Sequence, residues 1–296
     1  MPLPHIALAV LVTALWGINF VVIKIGLHDF PPLMLCALRF LFAALPAVFF
    51  LRRPDVPWKW IVALGATLGV VKFGLLFVSM KVGVSAGLAS LVLQTQAFFT
   101  ILLAVLLLGE RLTLMRVLAA AIAFSGIGVL VSGADTAELP LTGLALAICA
   151  AVAWGFANLI QKRCAGSKPL NLMVWASLIP PVPLMLLSFG LEAGPAQAWQ
   201  TVQAASLAGW GAVVFLAAIA TLLGFAIWGW LMGHHPAAQV APFTLMVPVW
   251  GMGSAALLLG ESLTPAKLLA AALILSGLIL NTFGDRLLQR LRPQTP

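Results

Sequence analysis

The chain has 296 residues, 62% of them hydrophobic and only 8% charged, with a formal net charge of +8. A soluble domain carries about 25% charged residues, and the mean hydropathy here is +1.12, so lipid and not water must be the solvent. The positive charge does not imply nucleic acid, because Lys and Arg sit in the short segments between apolar runs, with a sidedness described below.

A bilayer span needs roughly 20 apolar residues. On that ruler the chain order predicts spans near 5–27, 31–51, 60–80, 84–108 and 114–132, then near 141–161, 170–190, 207–232, 237–259 and 266–284. The polar alternation of a membrane barrel is absent, and backbone groups in lipid must be satisfied within their own segment. The predicted class is an all-α integral membrane protein with ten transmembrane helices. The longest polar stretches, 52–59, 132–139 and 192–205, leave no room for a soluble domain, and none looks like a metal-binding or phosphate-binding module. No cofactor and no metal are expected. The first apolar segment lacks a charged leader and a clear cleavage site, so it reads as a span.

The chain repeats itself. Gly109-Glu110-Arg111-Leu112-Thr113 returns 151 residues later as Gly260-Glu261-Ser262-Leu263-Thr264. Leu118-Ala119-Ala120-Ala121 aligns with Leu269-Ala270-Ala271-Ala272, and Ser125-Gly126 with Ser276-Gly277. Trp16-Gly17 with Lys24 pairs with Trp154-Gly155 with Lys162. Two units, 1–135 and 136–296, follow. Five spans per unit is an odd number, so the second unit enters the membrane inverted, an arrangement typical of transporters.

Charge sets the orientation. With the N-terminus in the cytoplasm, 11 Lys and Arg fall in cytoplasmic segments: Arg52, Arg53, Lys59, Arg111, Arg116, Lys162, Arg163, Lys168, Arg286, Arg290 and Arg292. External segments hold 3, namely Lys24, Lys81 and Lys267. The split predicts that both termini are cytoplasmic. External loops instead carry Asp29, Asp135, Glu138, Glu192 and Glu261.

An ionisable group inside a span is costly and is a functional candidate by default. Lys72 lies mid-way along the third span and Arg39 in the outer half of the second. All eight Asp and Glu lie in loops or at span ends. A carrier of cations would need an embedded carboxylate; two embedded cations suit a carboxylate-bearing or zwitterionic cargo. For Lys72 a cargo or cavity role competes evenly with a lysine that snorkels or stays neutral, and Arg39 is weighted toward bonding backbone carbonyls. Gln94 and Gln96 flank the middle of the fourth span but point in different directions, so at most one faces a central cavity. Asn19 and Asn158 follow the paired Trp-Gly motifs and read first as helix-to-helix hydrogen bonders. Pro180 and Pro181 interrupt the seventh span, and Pro242 and Pro248 the ninth, each freeing a carbonyl; gating and static kinking are equally open. Cys36, Cys149 and Cys164 read as packing residues. No nucleophile with a base stands inside a span, so an enzyme is not expected.

These residues resemble the EamA-type drug/metabolite transporter superfamily over nearly the whole chain. The stretches at 16–24, 31–40, 86–100 and 240–249 are similar to its O-acetylserine/cysteine exporter branch. The resemblance implies a bacterial inner-membrane exporter of small amino-acid metabolites, such as cysteine and O-acetylserine. Lys72 departs from it, since the branch implies a neutral amide at that place, and this puts the cargo in question more than the fold. Other amino acids, small organic anions, or a nucleotide-sugar or phosphate-type cargo stay open, as do proton exchange, facilitated diffusion and the oligomeric state.

Overall fold

The computed structural model describes residues 1–132 and 140–291, without the side chains of 285–291. Asp135, Glu138, the 135/136 boundary, Arg292 and the side chains of Arg286 and Arg290 lie outside the described residues. In chain order the long helices are α1 (Leu3–Asp29), α2 (Pro32–Val48), α3 (Trp58–Lys81), α4 (Ala86–Leu108), α5 (Leu114–Ser132), α6 (Leu141–Arg163), α7 (Pro169–Leu191), α8 (Leu207–His234), α9 (Ala237–Leu259) and α10 (Pro265–Leu291). Among the described residues there is no strand, and nine of these helices are long and apolar enough to cross a membrane. The exception is α2, with 17 residues. It stops before the expected end near residue 51, in a turn at Phe49–Phe50, and at 1.5 Å per residue is about 26 Å long. A ten-residue helix, Pro195–Ala204, occupies the segment expected to be a polar loop.

Helix boundaries follow local chemistry. Pro32, Pro169, Pro181, Pro195 and Pro265 each open a helix, where a missing N–H costs nothing. Gly109 and Gly260 close α4 and α9 in the left-handed region, at φ 67° and 66°, which favours glycine.

Irregular helix recurs at matching places. The nine-residue segments Gly65–Phe73 in α3 and Phe215–Leu223 in α8 are π-helical. The short segments Leu93–Thr95 in α4 and Ala241–Met246 in α9 are 3₁₀-helical. Such stretches leave backbone carbonyls that other helices can use. The Trp16 indole N–H donates to Ala220 O at 3.0 Å, and Thr221 Oγ1 donates to Leu216 O at 2.8 Å.

Small residues let the helices approach, as membrane packing requires in the absence of a hydrophobic drive between them. A methyl group added to Gly126 of α5 would lie 2.9 Å from Ala270 O of α10 and 3.0 Å from Ile274. One added to Gly277 of α10 would lie 2.5 Å from Ala119 O of α5 and 2.8 Å from the Ala123 methyl. Likewise Gly17 of α1 lies against Val247, Trp250 and Gly251 of α9, and Gly155 of α6 against Phe99, Thr100 and Leu103 of α4. The main core gathers Phe30, Met34 and Leu35 with Phe77, Met80 and Leu184. Leu106, Leu107, Leu257 and Leu258 remain exposed on the outside of the bundle.

Carboxylates tie the helix ends. Glu192 accepts from the backbone N–H groups of Leu33 at 2.8 Å and Met34 at 3.4 Å, at the start of α2. Glu261 accepts from those of Ala86 at 2.6 Å and Gly87 at 3.0 Å, at the start of α4. Glu110, just past the far end of α4, accepts from Lys162 Nζ at 2.7 Å. Glu110 and Glu261 are thus separated by the whole length of α4, about 34 Å for 23 helical residues.

Candidate functional site

The charged candidates converge. Arg39 from α2 and Lys72 from the π segment of α3 are 4% and 3% exposed, so neither faces lipid. Both lie within cation–π range of one ring. The Arg39 guanidinium carbon is 4.2 Å and Lys72 Nζ 3.3 Å from the Phe73 centroid, and Lys72 Nζ is also 4.3 Å from the Trp154 ring of α6. Cation–π attraction contributes about 2 kcal/mol when desolvated. That offsets part of the roughly 2.5–3.5 kcal/mol insertion cost of such a charge.

Hydrogen bonding here is sparse. Arg39 Nη2 donates to Thr221 Oγ1 of α8 at 3.3 Å, while Arg39 Nε and Nη1 are buried and unpartnered. Among the described residues Lys72 Nζ has aromatic neighbours and no carboxylate pair. The π segment of α3 is pressed by α7, whose helix breaks between Ala176 and Pro181. Pro180 rests on Gly69 and Ile179 on Gly65.

The neutral candidates divide into separate groups. Asn158 Nδ2 of α6 donates to Gln96 Oε1 at 2.6 Å and to Thr100 Oγ1 at 3.0 Å, joining α6 to α4. Gln94 turns the other way and donates to Thr244 O at 3.2 Å, in the 3₁₀ segment of α9. Both amides therefore bond neighbouring helices. Asn19 is 6% exposed, and its Oδ1 is buried without a partner. Pro242 lies inside the 3₁₀ segment and Pro248 at the start of the regular helix after it. A cavity of about 560 Å³ opens near the starts of α2 and the Pro195–Ala204 helix, lined by Asp29, Lys81 and Glu192 among others. None of the sequence candidates lines it.

Thr221, Phe73 and the contact face of Trp154 were not singled out by sequence as parts of the site. Thr221 could have been found, as a hydroxyl in mid-span. The π segments that present it and Lys72 leave no mark in the residue pattern. His234 stacks on Trp230 at 4.2 Å, and His235 shares a 2.7 Å hydrogen bond with His5 of α1.

Glu110 is the one acid among these groups with a resolved shift. Its carboxyl sits below the ordinary carboxylate range, because Lys162 donates a hydrogen bond to it and adds its charge.

A bundle of long apolar helices with two basic side chains buried among them is the architecture of a multi-pass membrane protein. The EamA-like transporter family model matches residues 3–132 and again 141–283, and the chain belongs to that family. It is 43% identical over 284 residues to a protein of Salmonella typhimurium named "Probable amino-acid metabolite efflux pump", spanning 94% of this chain and 95% of that one. It is 42% identical, with the same coverage, to a protein of the same name from Escherichia coli K12. A crystal structure of a protein 21% identical matches with a TM-score of 0.65, over 98% of this chain and 100% of that one, a likeness of fold.

Proposed function

We propose that the chain is an inner-membrane exporter of small amino-acid metabolites, cysteine and O-acetylserine among them. It works by alternating access between two inverted five-helix halves, 1–135 and 136–296, with both termini cytoplasmic and α2 completing ten spans. The reciprocal contacts Gly126–Ala270 and Gly277–Ala119 support the two-fold relation. So do the matched π segments and the Glu110 and Glu261 positions at opposite ends of α4.

The observation that carries the cargo class is the buried pair Arg39 and Lys72, with two guanidinium nitrogens unpartnered. A carboxylate meeting them forms charge-assisted hydrogen bonds, and the Phe73 and Trp154 rings keep water from competing. The names of the two relatives, amino-acid metabolite efflux pumps, agree with that chemistry. Two cations would also accept a phosphate, so a phosphate-type carrier is the second reading.

Uptake of labelled cysteine, O-acetylserine, other amino acids and a nucleotide sugar into proteoliposomes, with and without a proton gradient, separates these readings. Lys72→Met should cut carboxylate uptake at least tenfold while protein level holds, and Lys72→Gln should retain more. Parent-like uptake of cysteine and O-acetylserine by Lys72→Met removes Lys72 from the site.

A further inference from the structure

The two Gly-Glu motifs stand in different states. At the Gly260 end Glu261 caps the first two N–H groups of α4, and residues 86–95 are all buried. The 151-residue offset that relates Glu110 to Glu261 also relates Ala86-Gly87 to Ala237-Ala238. At the Gly109 end the matching cap is not made: Glu110 is held by Lys162, and Ala237, Ala238 and Gln239 are exposed. Lys162 in turn matches Lys24 by the Trp-Gly repeat, and Lys24 Nζ donates to Met80 O at 3.0 Å instead of to Glu261.

We propose that Glu261 and Glu110 are alternating latches: Glu261 closes the outer end on Ala86-Gly87 while Lys162 holds Glu110 off Ala237-Ala238, and in the opposite state Lys24 holds Glu261 while Glu110 caps α9. This rests on the inverted-repeat reading above. The physical reason is that each carboxylate has two competing partners. One is a helix N-terminus with unpaired N–H groups and a favourable dipole; the other is a lysine of the opposite half. Capping draws the α4 start against α9, with Gly87 on Met252 and Ser90 on Gly251. The same move at the other end would cover the exposed start of α9. In the structure the start of α4 is capped and buried, while the start of α9 is uncapped and exposed.

The test is cysteine labelling of the full-length protein in membranes, after replacing the native cysteines by alanine. Ser90→Cys reports the outer interface, since Ser90 is buried against Gly251. An impermeant maleimide added outside should barely label it. Lys162→Met, a full bilayer away, frees Glu110 and should raise that labelling about threefold, the scale of one exposed ion pair. Adding Glu110→Gln to Lys162→Met should return labelling to the parent level, and Glu261→Gln alone should raise it. Unchanged labelling in Lys162→Met, or no reversal by Glu110→Gln, overturns the latch exchange. The assay needs no cargo, so its failure is distinct from a failure of Lys72 variants in uptake. Labelling of Ser90→Cys from the cytoplasmic side alone would instead overturn the orientation.

Discussion

Gly109 and Gly260 end their helices with the same backbone turn, φ 67° and ψ 24° in one, φ 66° and ψ 24° in the other. Neither has a neighbour within 4 Å of where a methyl group would sit. The left-handed backbone alone therefore demands glycine at both places. Gly109→Ala and Gly260→Ala should each cost about 1–2 kcal/mol, by similar amounts. Gly128→Ala, also in open space but with an ordinary helical backbone, should cost nothing. Thermal unfolding in detergent checks this, and a loss in Gly128→Ala equal to the other two would contradict it.

Gly126 and Gly277 are limited by space instead. The added methyl groups would meet backbone carbonyls at 2.9 and 2.5 Å, and backbone cannot swing aside as a side-chain tip can. Both Gly126→Val and Gly277→Val should lower the yield of folded protein and loosen α5 from α10. Gly190→Val, which meets nothing within 4 Å, should not. Size-exclusion profiles of the purified variants report the outcome.

Arg39 and Lys72 should respond differently to conservative change. Arg39→Lys keeps charge but loses the planar fork that reaches Thr221 and still presents two free nitrogens. Uptake of carboxylate cargo should fall about tenfold, mainly through a higher KM, with thermal stability near the parent's. A parent-like KM would mean that Arg39 serves packing alone.

Acid should open the Glu110–Lys162 pair. Because the folded-state pKa of Glu110 is depressed, the pair contributes above the ordinary glutamate value of about 4.3. The contribution is lost as pH falls through the lower folded value. Parent and Glu110→Gln should therefore differ in melting temperature by a constant amount near neutral pH and converge on acidification. A gap that persists at the most acid pH tolerated would show that the carboxylate charge is not what matters.

Orientation follows from charge. A reporter fused after Pro296 should be active only in its cytoplasmic form, because that orientation would put 11 Lys and Arg inside against 3 outside. A terminus reached only from outside the cell would undo this topology.

Helices were legible from residues because lipid leaves the backbone no other partner, so apolar length alone marks them. The 23-residue apolar run at 237–259 coincides with α9 at both ends. The apolar run at 31–51 extends past the end of α2, since Phe49 and Phe50 are as apolar as the helix before them and only the turn ends it. Lys72 and Arg39 were visible as charges out of place. Their shared ring was not, because it depends on how α2, α3 and α6 meet. Gln94 and Gln96 could be told apart in direction by helical spacing, yet not assigned partners, since Thr244 and Asn158 arrive from distant segments.

What the residues determined by themselves was solvent, helix positions and duplication, because each rests on composition or identity along the chain. Tertiary structure alone decided that Arg39 and Lys72 both lean on Phe73, and that the two repeated glutamates hold different partners. One copy of the motif caps a helix while its twin grips a lysine. Near-identical local sequence cannot choose between those contacts, which depend on whether the opposing helix end has been brought within reach.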